Sequence, residues 1–152
     1  MAGFTFRLQN VLDYRSSLAD RARQELGVLQ ASLREAEGRL VALQRAEQRV
    51  LRSLDHSQTS AMLDVAEITR QLEYGEVLAT QIVVQRGVVA ERQKAVDIQH
   101  EKLVALSKDA KALEKLRERQ VEEFQQEDGR REQAETSEIA SVRHQRQQGS
   151  LL

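Results

Sequence analysis

The chain of 152 residues carries 31% charged side chains, 3% aromatics, no proline, no cysteine and a formal net charge of −1. That is too few large apolar side chains for a conventional globular core, and nothing in the composition forbids a helix, so it reads as long helix or coiled coil. The near-zero charge disfavours non-specific nucleic-acid binding, and without cysteine neither disulfides nor thiolate metal sites can form.

The amino end reads FTFRLQNVLDYR, from Phe4 to Arg15, and places two of the three phenylalanines where chain ends usually fray. Something holds this end, either the chain itself or a partner. The helical spacing then runs Leu8, Val11, Arg15, Leu18, Ala22 and Leu26; two four-residue steps meet at Ala22, which predicts a stutter in the supercoil. Beyond it, Leu29, Ala36, Leu43 and Val50 form one seven-residue row. Leu26, Leu33, Leu40 and Leu54 form its neighbour, interrupted by Glu47. These rows are a heptad seam, and they predict a first helix over about residues 7–54.

DHSQTS, Asp55 to Ser60, lacks apolar residues and is rich in side chains that compete for backbone hydrogen bonds, which predicts a loop over about 55–61. Ser60 and Asp64 are candidate N-caps, the latter with Glu67 three residues on. A second helix over about 62–146 follows. Its seven-step row is Ile68, Gly75, Ile82, Val89, Val96, Leu103, Ala110, Arg117 and Phe124, flanked by Leu72, Leu78, Leu106 and Leu113. Between about 85 and 100 the flanking row turns polar, with Gln85, Arg86, Arg92, Gln93, Gln99 and His100, so the seam there reads as weak. Gly75 either permits close approach of the helices or is a tolerated defect; close approach is the preferred reading.

Two long helices joined by a short loop turn back on each other. The predicted fold is all-α: an antiparallel two-helix coiled-coil hairpin with a longer, overhanging C-terminal helix, one elongated domain over 1–152, with rods of about 70 Å and 120 Å. With the tip near Gln58, residue 8 should lie opposite about residue 108, leaving an overhang of roughly 50 Å. Lys108, Lys111, Lys115 and Arg119 alternate there with Glu114, Glu118, Glu122 and Glu123 at spacings that allow i, i+3 ion pairs. An apolar thread of Leu113, Leu116 and Phe124 continues along this arm.

Catalysis is not expected. Acid–base chemistry needs groups converging in a pocket, and two helices leave their carboxylates in water. His56, His100 and His144 are far apart in sequence and are not read as metal ligands. No phosphate-binding glycine loop is present, and no cofactor is expected. No run approaches the roughly 20 apolar residues that span a bilayer, and the first residues lack the apolar stretch of a signal peptide. The chain is therefore read as soluble and intracellular.

Phe4-x-Phe6-Arg7-Leu8-x-x-Val11-Leu12-x-x-Arg15 resembles the N-terminal signature of the FliJ family of flagellar export proteins, and KALEKLRERQVEEF with Glu138 to Ala140 is similar to that family's C-terminal region. The resemblance covers essentially the whole chain, including length, loop position and the longer second helix. It implies a cytoplasmic, non-enzymatic component at the flagellar base, similar to the central stalk of rotary ATPases, that inserts its paired termini into the hexameric export ATPase of FliI type. It also implies contact with the cytoplasmic domain of the FlhA-type export gate, and with export chaperones in some members.

By position, Phe4, Phe6, Leu8, Leu113, Leu116 and Phe124 would face the ATPase, and Leu43, Ala46, Val50, Tyr74, Leu78 and Gln81 the gate. Ala46 and Val50 stand where some members carry aromatics. Leu43 and Val50 also belong to the predicted seam, so plain hairpin packing is an equal reading for them. Phe4 and Phe6 have a second reading as well, as a staple folding back on Leu106 and Leu113. A different class remains beside these: a homo-oligomerising structural coiled coil, in which the overhangs of two chains pair and no ATPase takes part.

Overall fold

A computed structural model describes residues 3–150; the outermost residues of the predicted 1–152 domain lie outside them. Two helices, α1 (Gln9–Thr59) and α2 (Val65–Gly149), pack antiparallel, and no strand occurs among the described residues. The fold is the expected helical hairpin. Internal contacts gather into two units, one made of the residues up to Leu18 with those from Leu106 onward, the other of Ala19–Ala105.

In Ala19–Ala105 the core is a single seam. Leu26, Leu33 and Val96 are buried together, with Leu29, Val89 and Leu103 packed against them. Ala19, Ala22, Ala36 and Val50 of α1 and Leu78 and Ile82 of α2 are buried as well. The positions facing inward run 19, 22, 26, 29, 33 and 36, an unbroken alternation of three and four, so the stutter expected at Ala22 does not occur. The sequence reading gave the seam to the larger Leu18; the helix instead buries Ala19 at 5% exposure. An unbroken heptad needs no local unwinding, and alanine lets the helices come close.

The turn lies later than expected. α1 continues through Asp55 to Thr59, and the connection is residues 60–64. The side chains that marked DHSQTS as a break are absorbed by the helix: Thr59 Oγ1 donates to the carbonyls of Asp55 and His56, both at 3.1 Å. Of the two candidate caps, Asp64 starts α2, its Oδ1 accepting the Glu67 N–H at 3.2 Å. Glu67 does not complete a capping box. Its carboxylate turns to Arg70 at 2.8 Å and Gln71 at 3.1 Å.

The stretch that read as a weak seam is a polar ladder. Gln85, Arg92 and Gln99 follow one another at seven-residue steps and each reaches across to a backbone carbonyl of α1. Gln85 Nε2 donates to Ala36 O at 2.9 Å, Arg92 Nη1 to Ser32 O at 2.9 Å, and Gln99 Nε2 to Ala22 O at 3.1 Å. Gln85 and Gln99 are buried, and these bonds satisfy their amide donors.

Gly75 faces Val50, but a Cβ added to it would stand 3.5 Å from Val50 Cγ1, an ordinary contact. Close approach therefore does not require glycine here. Replacing Gly75 by Ala is expected to raise stability by about 0.5–1 kcal/mol through helix propensity; a thermal midpoint that falls would show that the contact is tighter than its distance.

In the other unit, Phe6, Leu12 and Ala110 are buried. The Phe4 and Phe124 rings pack tilted with centroids 5.8 Å apart. Arg15 meets Asp109 at 3.5 Å, and Arg117 Nε donates to Gln9 Oε1 at 3.1 Å. The start of α1 thus lies opposite residues near 117 rather than 108, because the later turn shifts the pairing. The uncovered part of α2 is correspondingly shorter: every residue from Gly129 to Ser150 is exposed. Among the described residues, the charges alternating along 108–123 close no ion pair with one another.

Candidate functional site

The residues assigned to the ATPase-facing end are brought together, though not as an open surface. The extended segment before α1 carries Phe4 onto Phe124, and Phe6 is only 6% exposed. Phe4, Leu113, Leu116 and Phe124 are half-buried, and Leu8 is the one of the six that the structure leaves exposed. The thread of Leu113, Leu116 and Phe124, read as bare, is covered in large part by the chain's own amino end. Of the two readings for the phenylalanines, the staple is what the structure shows, with Phe124 rather than Leu113 under Phe4. A staple and a partner surface are compatible, since Phe4 and Phe124 are only part-buried.

The uncovered helix beyond it was expected as the overhang, but its exposed apolar pair was not singled out. Ile139 and Val142 are 55% and 42% exposed on a stretch where no second helix lies alongside. The signal was their spacing of three, which puts both on one face. It was overlooked because the arm's apolar content was judged from Leu113 to Phe124.

The residues assigned to the gate divide. Val50 and Leu78 are in the seam, at 8% and 2% exposure, so packing accounts for both. Leu43 and Ala46 are half-buried at its edge, while Tyr74 and Gln81 stand outside it on one flank of α2. Leu43 and Gln81 line one groove together with Arg39 and Val84. Val50 sits at the base of another, beside Leu51, Leu72 and Gly75. Two further exposed residues extend the Tyr74–Gln81 flank, Val77 and Val84. Their steps of three and four from Tyr74 and Gln81 were legible, but hidden by the stronger seam.

Both surfaces offer apolar side chains framed by exposed charge, and neither encloses a volume in which a small molecule would lose most of its water. No group of three or more His, Asp or Glu residues fit to hold a metal ion occurs among the described residues. No helix among them is long and apolar enough to cross a membrane. Exposed apolar side chains framed by charge suit protein–protein contact.

The model of the flagellar FliJ protein family matches residues 4–149, which begins at the stapling Phe4 and ends with α2. The chain belongs to the FliJ family. It is therefore a flagellar protein associated with type III export, and its partners belong to that export machinery. Among solved structures, it is similar to the putative YscO homolog CT670 from Chlamydia trachomatis, at 25% identity and a TM-score of 0.52, over 94% of this chain and 96% of that one. No curated protein matches the chain. The span of the FliJ match takes in both units and both surfaces, so neither lies outside the family's common part.

Proposed function

We propose that this FliJ-family chain is a non-enzymatic stalk and adaptor of the flagellar export apparatus. Its terminal unit seats in the hexameric FliI-type export ATPase, and its Ala19–Ala105 unit meets the cytoplasmic domain of the FlhA-type gate. It works in the cytoplasm, at the cytoplasmic face of the flagellar base. The observation that carries the reading is that α2 continues as regular helix from Gly129 to Gly149 with every residue exposed. An isolated helical stretch is marginal in water, and one bearing exposed Ile139 and Val142 gains most by entering a partner.

The ATPase-facing set is Leu8, Leu113 and Leu116 with the Phe4, Phe6 and Phe124 cluster that shapes it, joined by Ile139 and Val142. The gate-facing set is Tyr74 and Gln81 on the surface, over Leu43, Ala46, Val50 and Leu78. The two sets fall in different structural units, which makes them separable by mutation. Ile139→Glu with Val142→Glu is expected to weaken stimulation of the ATPase about tenfold or more, leaving gate binding unchanged; Tyr74→Ala with Gln81→Ala is expected to do the reverse. All four positions are exposed, so helicity should hold in both variants. If each double variant lost both activities equally, or neither lost anything, the two-contact reading would fall.

A further inference from the structure

Within Ala19–Ala105, α2 carries a second heptad row beside the one used for the hairpin. Tyr74, Val77, Val84 and Ile98 are 52%, 51%, 63% and 67% exposed, and Gln81, Val88, Glu91 and Ala95 fill the intervening steps of three and four. β-branched residues are a poor choice for a solvated helix face, since they lose rotamer freedom there without gaining packing. The row adjoins a flank of α1, because Arg39 lines a groove with Gln81 and Val84, and Val28 lines another with Gln99. The face is therefore built by both helices.

We propose that this face binds a second copy of the chain, two hairpins packing about a two-fold axis into a four-helix bundle. The pattern of the row selects both partner and register. With the two α2 helices antiparallel and Val84 against Val88 of the second copy, Tyr74 meets Ile98 and Val77 meets Ala95. The row's two polar residues, Gln81 and Glu91, then meet each other. A slide of one heptad sets Glu91 against Val88 or Tyr74, and a parallel pairing sets Glu91 against Glu91, which costs like-charge repulsion.

The same axis brings the α1 flanks together, and there the complementarity is in charge. The hairpin's internal register is fixed by the bonds from Gln85 to Ala36 and from Arg92 to Ser32. Carried across the axis, it places Arg39 near Glu35 of the second copy and Arg49 near Glu25, with Val28 near Ala46. Glu35, Arg39 and Arg49 make no ion pair within the described chain. Their charges are free for such a contact. The face extends over α2 residues 74–98, roughly 35 Å of helix, enough for a four-helix packing of ordinary size. It includes Tyr74 and Gln81, so self-association and gate contact exclude one another.

Sedimentation equilibrium of the full chain at tens of micromolar is expected to show a reversible dimer. Val84→Glu, at an exposed position, should leave helicity unchanged and return the chain to monomer. Arg39→Glu should weaken the dimer about tenfold, and Glu35→Arg combined with Arg39→Glu should restore it, because each swapped charge again faces its opposite. As the chain has no cysteine, a mixture of Val84→Cys and Val88→Cys chains should oxidise to a mixed covalent dimer faster than either chain alone. A monomeric wild type, a dimer unaffected by Val84→Glu, a double swap no better than the single, or equal crosslinking of mixed and single variants would each overturn the proposal. A monomer that still stimulates the ATPase would overturn self-association while leaving the stalk reading standing.

Discussion

Replacing Leu33 by Asp is expected to lower the stability of the Ala19–Ala105 unit by about 3–5 kcal/mol. Leu33 belongs to the cluster with Leu26 and Val96 and is 9% exposed. A two-helix seam has no second layer to repack into the space. The donors that α2 presents along this stretch, from Gln85, Arg92 and Gln99, are bonded to α1 carbonyls, so the carboxylate would have to draw one of them away to be paired. Leu29 and Leu40 are half-buried, so the same change there lets the carboxylate reach water and should cost less than at Leu33. The order of thermal midpoints, with Leu33→Asp lowest, checks the seam as the structure draws it. A midpoint within a degree or two of wild type would remove Leu33 from the core.

That ranking marks where sequence periodicity stopped being informative. The row through Ile82, Val89, Val96, Leu103 and Ala110 was legible because one face repeated every seven residues, and Asp64 was legible as a cap because its partner is three residues away. Ala19 lost to Leu18 in the reading because size was taken as the sign of burial; close packing between two helices rewards small side chains as well. DHSQT was read as loop from its hydroxyls and carboxylate, which can bond within a helix as readily as break one. That displacement of the turn moved the pairing of the two helices. It set Arg117 where Lys108 was expected beside the start of α1, and so put Phe124, not Leu113, under Phe4. The assignment of residues to partners rested on family resemblance alone, since exposure of Tyr74 and burial of Leu78 depend on the helix's rotation about its axis.

The polar ladder was illegible for a deeper reason: its acceptors are backbone carbonyls, which every residue possesses. What makes two of them reachable is the absence of side chain above them. Gln85 and Gln99 are two heptads apart, and so are their acceptors Ala36 and Ala22, each 2% exposed. A slide of the helices by one heptad would set Gln85 against Leu29 or Leu43, whose side chains cover the carbonyl, and would strand a buried amide. The leucine seam alone tolerates that slide, since it repeats every seven residues. Replacing Gln85, Arg92 and Gln99 together by Leu is therefore expected to raise stability by on the order of 2 kcal/mol, through added apolar burial and lost desolvation cost, while giving up the single register. Spin labels on cysteines introduced at the exposed positions Gln30 and Lys94 should report one narrow distance in the wild-type sequence. In the triple variant a second population should appear, displaced along the axis by about 10 Å, the rise of one heptad. A triple variant that melts lower than wild type and keeps one narrow distance would show instead that the ladder is a plain stabiliser, and that the register is set by the leucines.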